Sequence, residues 1–175
     1  MMIEDYKPTW LIERIYHIKP ADFQSRGFKA VLVDLDNTLI AWDNPNGTKE
    51  LRDWLKEMAE AEMPVLVVSN NNAKRVKKAV EPFGILFISR AMKPFSLGIK
   101  RALKQLCLNK NEVVFIGDQL MTDIRAANRV GIKSILVRPL VESDAWSTKI
   151  NRAREKRVWR KLASSYDMRF QDKLI

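Results

Sequence analysis

The chain has 175 residues, 46% of them hydrophobic and 30% charged, a balance that excludes a disordered or fibrous protein and allows a core of its own. The formal net charge is +10, and residues 146–175 hold nine of the basic but three of the acidic side chains, an excess that suits an anionic partner for the tail. No window carries the ~18 apolar residues that cross a bilayer, the opening MMIEDYKPTWLIERIYHI lacks the apolar run of a secretory signal, and the single cysteine, Cys107, rules out an internal disulfide or a cysteine-rich zinc site. A cytoplasmic protein is expected.

In residues 1–28, Trp10, Leu11, Ile12, Ile15 and Ile18 recur at helical spacing and predict an amphipathic segment packed on the core. His17 reads as structural. KAVLVDLD (29–36) is a buried strand ending in carboxylates. Residues 48–62 form a helix, with Leu51, Trp54, Leu55 and Met58 on one face and Thr48 as N-cap. PVLVVSNN (64–71) is a second strand, and 73–84 a helix stopped near Pro82–Gly84. ILFIS (85–89) is a third strand. Residues 94–108 form a helix with Pro94 near its first turn and Cys107 as a small core residue. EVVFIGD (112–118) is a fourth strand, 120–131 a helix closed by Gly131, and IKSILVRP (132–139) a fifth strand.

The last segment, 140–175, is basic and helical in pattern. Trp159, Ala163, Tyr166 and Phe170 recur near every fourth residue, as do Ile150, Arg154, Val158 and Leu162. Arg152, Lys156, Arg157, Arg160 and Lys161 fill much of the rest. Such a helix either docks on its own sheet with the basic side outward or lies on an anionic membrane surface, where each cation contributes ~1 kcal/mol. A nucleic acid or protein partner ranks after the membrane.

Continuous apolar strands alternating with helices predict an α/β, three-layer, Rossmann-like architecture: a five-stranded parallel sheet between helices, in one domain over 1–175 with its core at about 29–139. Ligands of such sheets bind outside the carboxyl ends of the strands. There the sequence places Asp34-Leu35-Asp36-Asn37-Thr38, Ser69-Asn70-Asn71, Lys93, and Gly117-Asp118-Gln119 with Thr122 and Asp123 following. Three or four carboxylates in one small volume repel one another unless a cation joins them. A hard divalent ion with oxygen ligands resolves this, and Mg²⁺ fits best, with a substrate phosphate as a further ligand. Lys93, the Ser69 hydroxyl and backbone N–H groups suit the phosphate oxygens. One carboxylate then attacks phosphorus, and a second protonates the leaving oxygen and later activates water.

DLDNTL (34–39), SNN (69–71), Lys93-Pro94 and GDQLMTD (117–123) resemble the four motifs of the haloacid dehalogenase-like (HAD) phosphatase superfamily, in its subclass IIIA form. The GDQLMTD form and the short chain resemble the YqeG family, relatives of phosphatidylglycerophosphate phosphatases. The resemblance implies strand order 5-4-1-2-3 and assigns roles. Asp34 matches the nucleophile and a metal ligand. Asp36 matches the general acid/base, with its backbone carbonyl on the metal. Asp118 and Asp123 complete the metal site. Thr38, Ser69, Asn70 and Lys93 match the loop-supporting and phosphate-binding positions.

The gaps from Thr38 to Ser69 and from Ser69 to Lys93 hold only a short flap (40–47), two helices and a strand, so no cap domain is expected. For an uncapped site the resemblance implies large or surface-held substrates, or a partner chain acting as lid. Trp42 in the flap either packs over substrate or fills a gap beside Asp43. The expected function is a Mg²⁺-dependent phosphomonoester hydrolase working through an aspartyl-phosphate on Asp34, its substrate a lipid phosphate such as phosphatidylglycerophosphate or another surface-held phosphate. A broad small-molecule or phosphoprotein phosphatase is the alternative. The rival from another class is an RNA- or ribosome-associated binding protein with secondary phosphatase activity.

Overall fold

The computed structural model of the chain describes residues 2–41, 43–141 and 146–175, with side chains from residue 153 onward in the last stretch. Trp42 lies outside the described residues, as do the side chains of Ile150 and Arg152. Six strands form one sheet: β1 (Trp10–Ile12), β2 (Ala30–Val33), β3 (Val65–Val68), β4 (Leu86–Ile88), β5 (Val113–Gly117) and β6 (Lys133–Val137). The helices are α1 (Pro20–Gln24), α2 (Lys49–Glu60), α3 (Ala73–Val80), α4 (Leu97–Leu106), α5 (Arg125–Val130) and α6 (Trp146–Ala163).

All strand pairs are parallel, in the order β1-β6-β5-β2-β3-β4. Both the strand count and the order thus differ from the expectation, because an additional edge strand lies beyond β6. That strand comes from the segment expected to be helical. Trp10, Leu11 and Ile12 pair with Ile135, Leu136 and Val137, and Ile15–His17 is a single 3₁₀ turn. Ile15 and Ile18 are nonetheless buried, so the segment packs its apolar face on the core as expected, as a strand and a 3₁₀ turn rather than a helix.

Strand side chains alternate between two packed layers. Val31, Val33, Val67, Val114 and Ile116 face one cluster with Leu51, Trp54 and Met58 of α2 and Val76 and Val80 of α3. Ala30, Leu32, Leu66, Phe115 and Val113 face the other, with Ile99 and Ala102 of α4 and Ala126 and Ala127 of α5. The Thr48 hydroxyl accepts from the Leu51 N–H at 3.2 Å and starts α2 as expected. The Trp54 indole N–H donates to the Ile18 carbonyl at 2.8 Å, which ties α2 to the N-terminal segment. Helix α4 begins at Leu97, later than expected, and Cys107 is not a core residue: it is exposed and closes α4 in the left-handed region at φ 54°. Gly131 ends α5 at φ 78°.

The C-terminal segment docks on the protein. Leu162 is fully buried against Tyr6, Leu120, Ile124 and Leu136, with Val158, Trp159, Tyr166 and Phe170 packed around them. Gln171 bridges to Ile12 and extends the β1 edge. The connection from β2 to β3 is a set of turns plus α2, and that from β3 to β4 is α3 with a 3₁₀ turn, so among the described residues no cap is inserted. No helix of the described residues is long and apolar enough to cross a membrane.

Candidate active site

Three neighbouring strands, β5, β2 and β3, end at one edge and deliver the polar residues there. Asp34 leaves β2, its N–H held by the Ile116 carbonyl at 2.9 Å. Asp118 leaves β5, and Ser69 leaves β3. After Asp34 the chain must turn sharply, and Asn37 takes φ 62°, a conformation asparagine tolerates better than most residues. Asn37 N–H then bonds the Ile40 carbonyl at 2.8 Å and closes the loop.

Lys93 is the centre of the cluster. It is 6% exposed, and its Nζ donates to Asp34 Oδ1 at 2.5 Å and to Asp123 Oδ1 at 2.7 Å. Burial alone would lower its pKa, but Asp123 and Asp34 more than offset this and hold the ammonium above the ordinary lysine value. Asp34, Asp118 and Asp123 each offer an oxygen within 4.8 Å of the others. Desolvation, then Asp123 and Asp34, push Asp118 well above the ordinary carboxylate range. Burial raises Asp123 to about 6 against the pull of Lys93, with Asp34 adding to the rise. One ammonium does not balance three carboxylates, and an all-oxygen donor set of this charge suits a hard divalent cation. The residues therefore fit Mg²⁺ or a similar ion.

Asp123 reaches Lys93 because Gly117 lets it. A Cβ at Gly117 would stand 2.4 Å from the Asp123 Cβ and 2.5 Å from its Oδ2. Asp123 also accepts the Gln119 N–H at 3.2 Å, which fixes the turn between the two acids. The Thr38 hydroxyl is fully buried and lies 3.1 Å from Asp118 Oδ1 and 3.5 Å from Asp34 Oδ2, bridging β2 and β5.

Asp36 does not join the trio. Its side chain is half-buried and accepts from Asn71 Nδ2 at 2.5 Å and Arg75 Nη2 at 2.8 Å, both outside the carboxylate cluster. Burial raises its pKa, Arg75 opposes the rise, and Asp34 adds to it. Asn70 holds the backbone of Lys93 from both ends of its amide: Nδ2 to the Lys93 carbonyl at 3.0 Å and Oδ1 from the Lys93 N–H at 2.7 Å. Ser69 is buried, and its hydroxyl accepts the Asn71 N–H at 3.1 Å.

Two participants escaped the sequence reading. Arg75, in the run AKRVKKAV, reads as part of a solvated basic face until the fold brings it to Asp36. Glu155 of α6 accepts from the backbone N–H groups of Leu120 at 3.1 Å and Met121 at 2.7 Å, so the C-terminal helix grips the turn that carries Asp118 and Asp123. Burial pushes its carboxyl up to about 7 against those two N–H groups. Nothing in its local sequence signals a partner 34 residues away. His17 stands outside the site, 3.7 Å from Asp172.

Comparison with known proteins agrees with this geometry. The HAD-hydrolase-like family model matches residues 91–164. The chain is 43% identical over 158 residues to the "Probable phosphatase YqeG" of Bacillus subtilis, covering 90% of this chain and 92% of that one. At the level of fold alone it resembles an uncharacterized Listeria monocytogenes protein, with a TM-score of 0.53, 20% identity, and coverage of 67% of this chain and 85% of that one. It also resembles the cobalt-bound deoxy-D-mannose-octulosonate 8-phosphate phosphatase of Haemophilus influenzae, with a TM-score of 0.50, 18% identity, and coverage of 66% and 70%. With the acidic crest, the buried lysine and the coverage of nearly the whole relative, this chain belongs to the YqeG family of HAD-like phosphatases.

Proposed function

We propose that the chain is a Mg²⁺-dependent phosphomonoesterase that works through an aspartyl-phosphate on Asp34. The observation that carries this reading is the buried Asp34–Lys93–Asp123 contact beside Asp118. A divalent cation held by Asp34, Asp118, Asp123 and the Asp36 carbonyl would supply positive charge against the phosphoryl oxygens. Lys93, with the Ser69 hydroxyl and loop N–H groups, binds the remaining oxygens, while Asn70 and Thr38 hold Lys93 and Asp118 in place.

An Asp34 oxygen attacks phosphorus, the ester P–O bond breaks, and Asp36 gives its proton to the leaving oxygen. Asp36 then takes a proton from water, the hydroxide attacks the phosphoryl group, and the Asp34–phosphorus bond breaks to release phosphate. A carboxyl with a raised pKa, held at the rim by Asn71 and Arg75, suits the proton-carrying role. The rim position also keeps the Asp36 proton away from the Lys93 ammonium.

The substrate we favour is a phosphate held at a surface, such as the lipid phosphate phosphatidylglycerophosphate. Support comes from the uncapped crest and from the loop that carries Lys93 with the first residue of α4 after it, where Met92, Phe95 and Leu97 are 55%, 60% and 50% exposed. Apolar side chains of that size standing in water beside a catalytic lysine suit a substrate with hydrocarbon attached. The outward cations of α6 agree with a peripheral contact to an anionic membrane.

The test measures phosphate release from lipid vesicles and from soluble sugar and nucleotide phosphates, with Mg²⁺ and with chelator. Mg²⁺-dependent release that favours the vesicles is expected. Release that ignores chelation contradicts the metal, and equal or better release from soluble esters contradicts the lipid substrate.

A further inference from the structure

Two grooves of the described residues differ in charge. One of about 820 Å³ beside α2 mixes Arg14 and Lys19 with Asp53 and Glu57, and Lys19 and Glu57 already pair across it. A second, of about 480 Å³, lies between the N-terminal 3₁₀ turn, Met121 and α6. Arg125, Arg154, Arg157 and Lys161 line it, and among the described residues no acidic side chain does. The remaining wall is apolar, formed by Ile3, Tyr6, Met121 and Val158 with Met2 at the edge.

Among the described residues, Arg154, Arg157 and Lys161 make no ion pair. They recur at i, i+3 and i+7 on α6 and so share one face, with Val158 between them. Arg125 comes from α5 on the other side, its guanidinium 5.2 Å from the centre of the Tyr6 ring. Three cations of α6 without an ion pair thus face one hollow, and an anion there would relieve their mutual repulsion. The volume is that of a small-molecule site. Cations around an apolar wall recognise a negative head with hydrocarbon attached, whereas a simple inorganic anion would leave the wall unused.

We propose that this recess is a non-catalytic binding site for an anionic amphiphile, its charged head on Arg154, Arg157, Lys161 and Arg125 and its hydrocarbon against Ile3, Tyr6, Met121 and Val158. The inference does not rest on the catalytic reading, because none of these side chains belongs to the phosphoryl-transfer machinery. Occupancy would still be felt there. Met121 lies between Asp118 and Asp123, and Glu155, next to Arg154, holds the Met121 N–H.

The probe is monomeric dihexanoyl phosphatidylglycerol, a phosphodiester that a monoesterase does not consume, titrated into the full chain and followed by calorimetry. Dihexanoyl phosphatidylcholine and inorganic phosphate serve as comparisons. Saturable binding of the phosphatidylglycerol is expected, with both comparisons weaker. Arg157→Glu should weaken it by at least about tenfold, while Lys156→Glu, the same charge change at an exposed neighbour outside the recess, should leave it within about twofold. Arg157→Ala and Lys161→Ala keep the test open if the charge reversal does not fold. No saturable binding, equal losses in Arg157→Glu and Lys156→Glu, or inorganic phosphate binding as tightly as the amphiphile would each overturn the proposal. Release of phosphate from a soluble ester should be unchanged in Arg157→Glu, so failure here is separable from failure of the catalytic reading.

Discussion

Asp34 and Asp36 leave the same strand end two residues apart and enter different surroundings. Asp34 is 9% exposed and sits on a buried ammonium among two further carboxylates. Asp36 is half-exposed and sits on a guanidinium and an amide at the rim. The centre is a place where Lys93 offsets part of the repulsion among three carboxylates and a cation would offset the rest. The rim is a place where one carboxyl can gain and lose a proton next to solvent. Strand alternation alone would send both side chains the same way. The end of β2 at Val33, with a turn at Leu35 between the two acids, and the arrival of Arg75 from α3 separate them. A phosphatase needs both environments, one for the nucleophile and one for the proton.

The sharpest way to break this division is to neutralise each acid in turn. Asp34→Asn should lower phosphate release by at least about 10³-fold, since the group that bonds to phosphorus is gone. Asp36→Asn should lower turnover by about 10²–10⁴-fold while leaving metal affinity unchanged, because it removes only proton transfer. Steady-state kinetics at saturating Mg²⁺ separates the two. Retained turnover in Asp34→Asn, or metal loss in Asp36→Asn equal to that in Asp34→Asn, would erase the distinction between centre and rim.

Lys93→Met probes the balance of charge at the centre. It strands the buried carboxylates of Asp34 and Asp123, and urea unfolding in metal-free buffer should show a loss of about 3–5 kcal/mol. Saturating Mg²⁺ should recover part of that loss. At the rim, the Asp36–Arg75 pair is partly exposed, and such pairs are worth roughly 0.2–1 kcal/mol. Arg75→Ala should therefore raise the Asp36 pKa and move the matching limb of the pH–rate profile upward by less than about one unit. A downward movement would remove Asp36 from the proton-carrying role.

A pH-dependent effect on stability is expected at Glu155. Its folded pKa of about 7 lies above the ordinary value of 4.5, so the folded protein keeps this proton after the unfolded chain has released it. Its contribution to stability is therefore full below pH 4.5 and declines as pH rises toward about 7. Glu155→Gln removes that dependence. The difference in urea midpoint between wild type and Glu155→Gln should shift against wild type across this window and be flat above it.

Much of this site was legible because its residues mark strand ends. Buried strands of a parallel sheet are continuous apolar runs, so KAVLVDLD, PVLVVSNN and EVVFIGD announce both the strand and the polar residue at its tip. What escaped depends on contacts distant in sequence. Trp10–Ile12 is only three residues long and is a strand because β6 pairs with it, while Ile15 and Ile18 beyond it mimic a helical repeat. Cys107 looked apolar but ends its helix on the surface. Asn70 looked like a phosphate contact, yet both ends of its amide hold the peptide of Lys93, a geometry that appears only once β3 and the loop after β4 are side by side. Arg75 and Glu155 lie in charged runs where any one side chain looks solvated.

The shared cation is the centre of the account, and calorimetric titration of Mn²⁺ into metal-free protein tests it most directly. One ion per chain is expected, bound more weakly as pH falls through about 6 because protons compete at Asp123. Asp118→Asn should weaken it by at least about tenfold and Asp36→Asn should leave it unchanged. Equal affinity in Asp118→Asn and wild type, or no binding at all, would contradict the account.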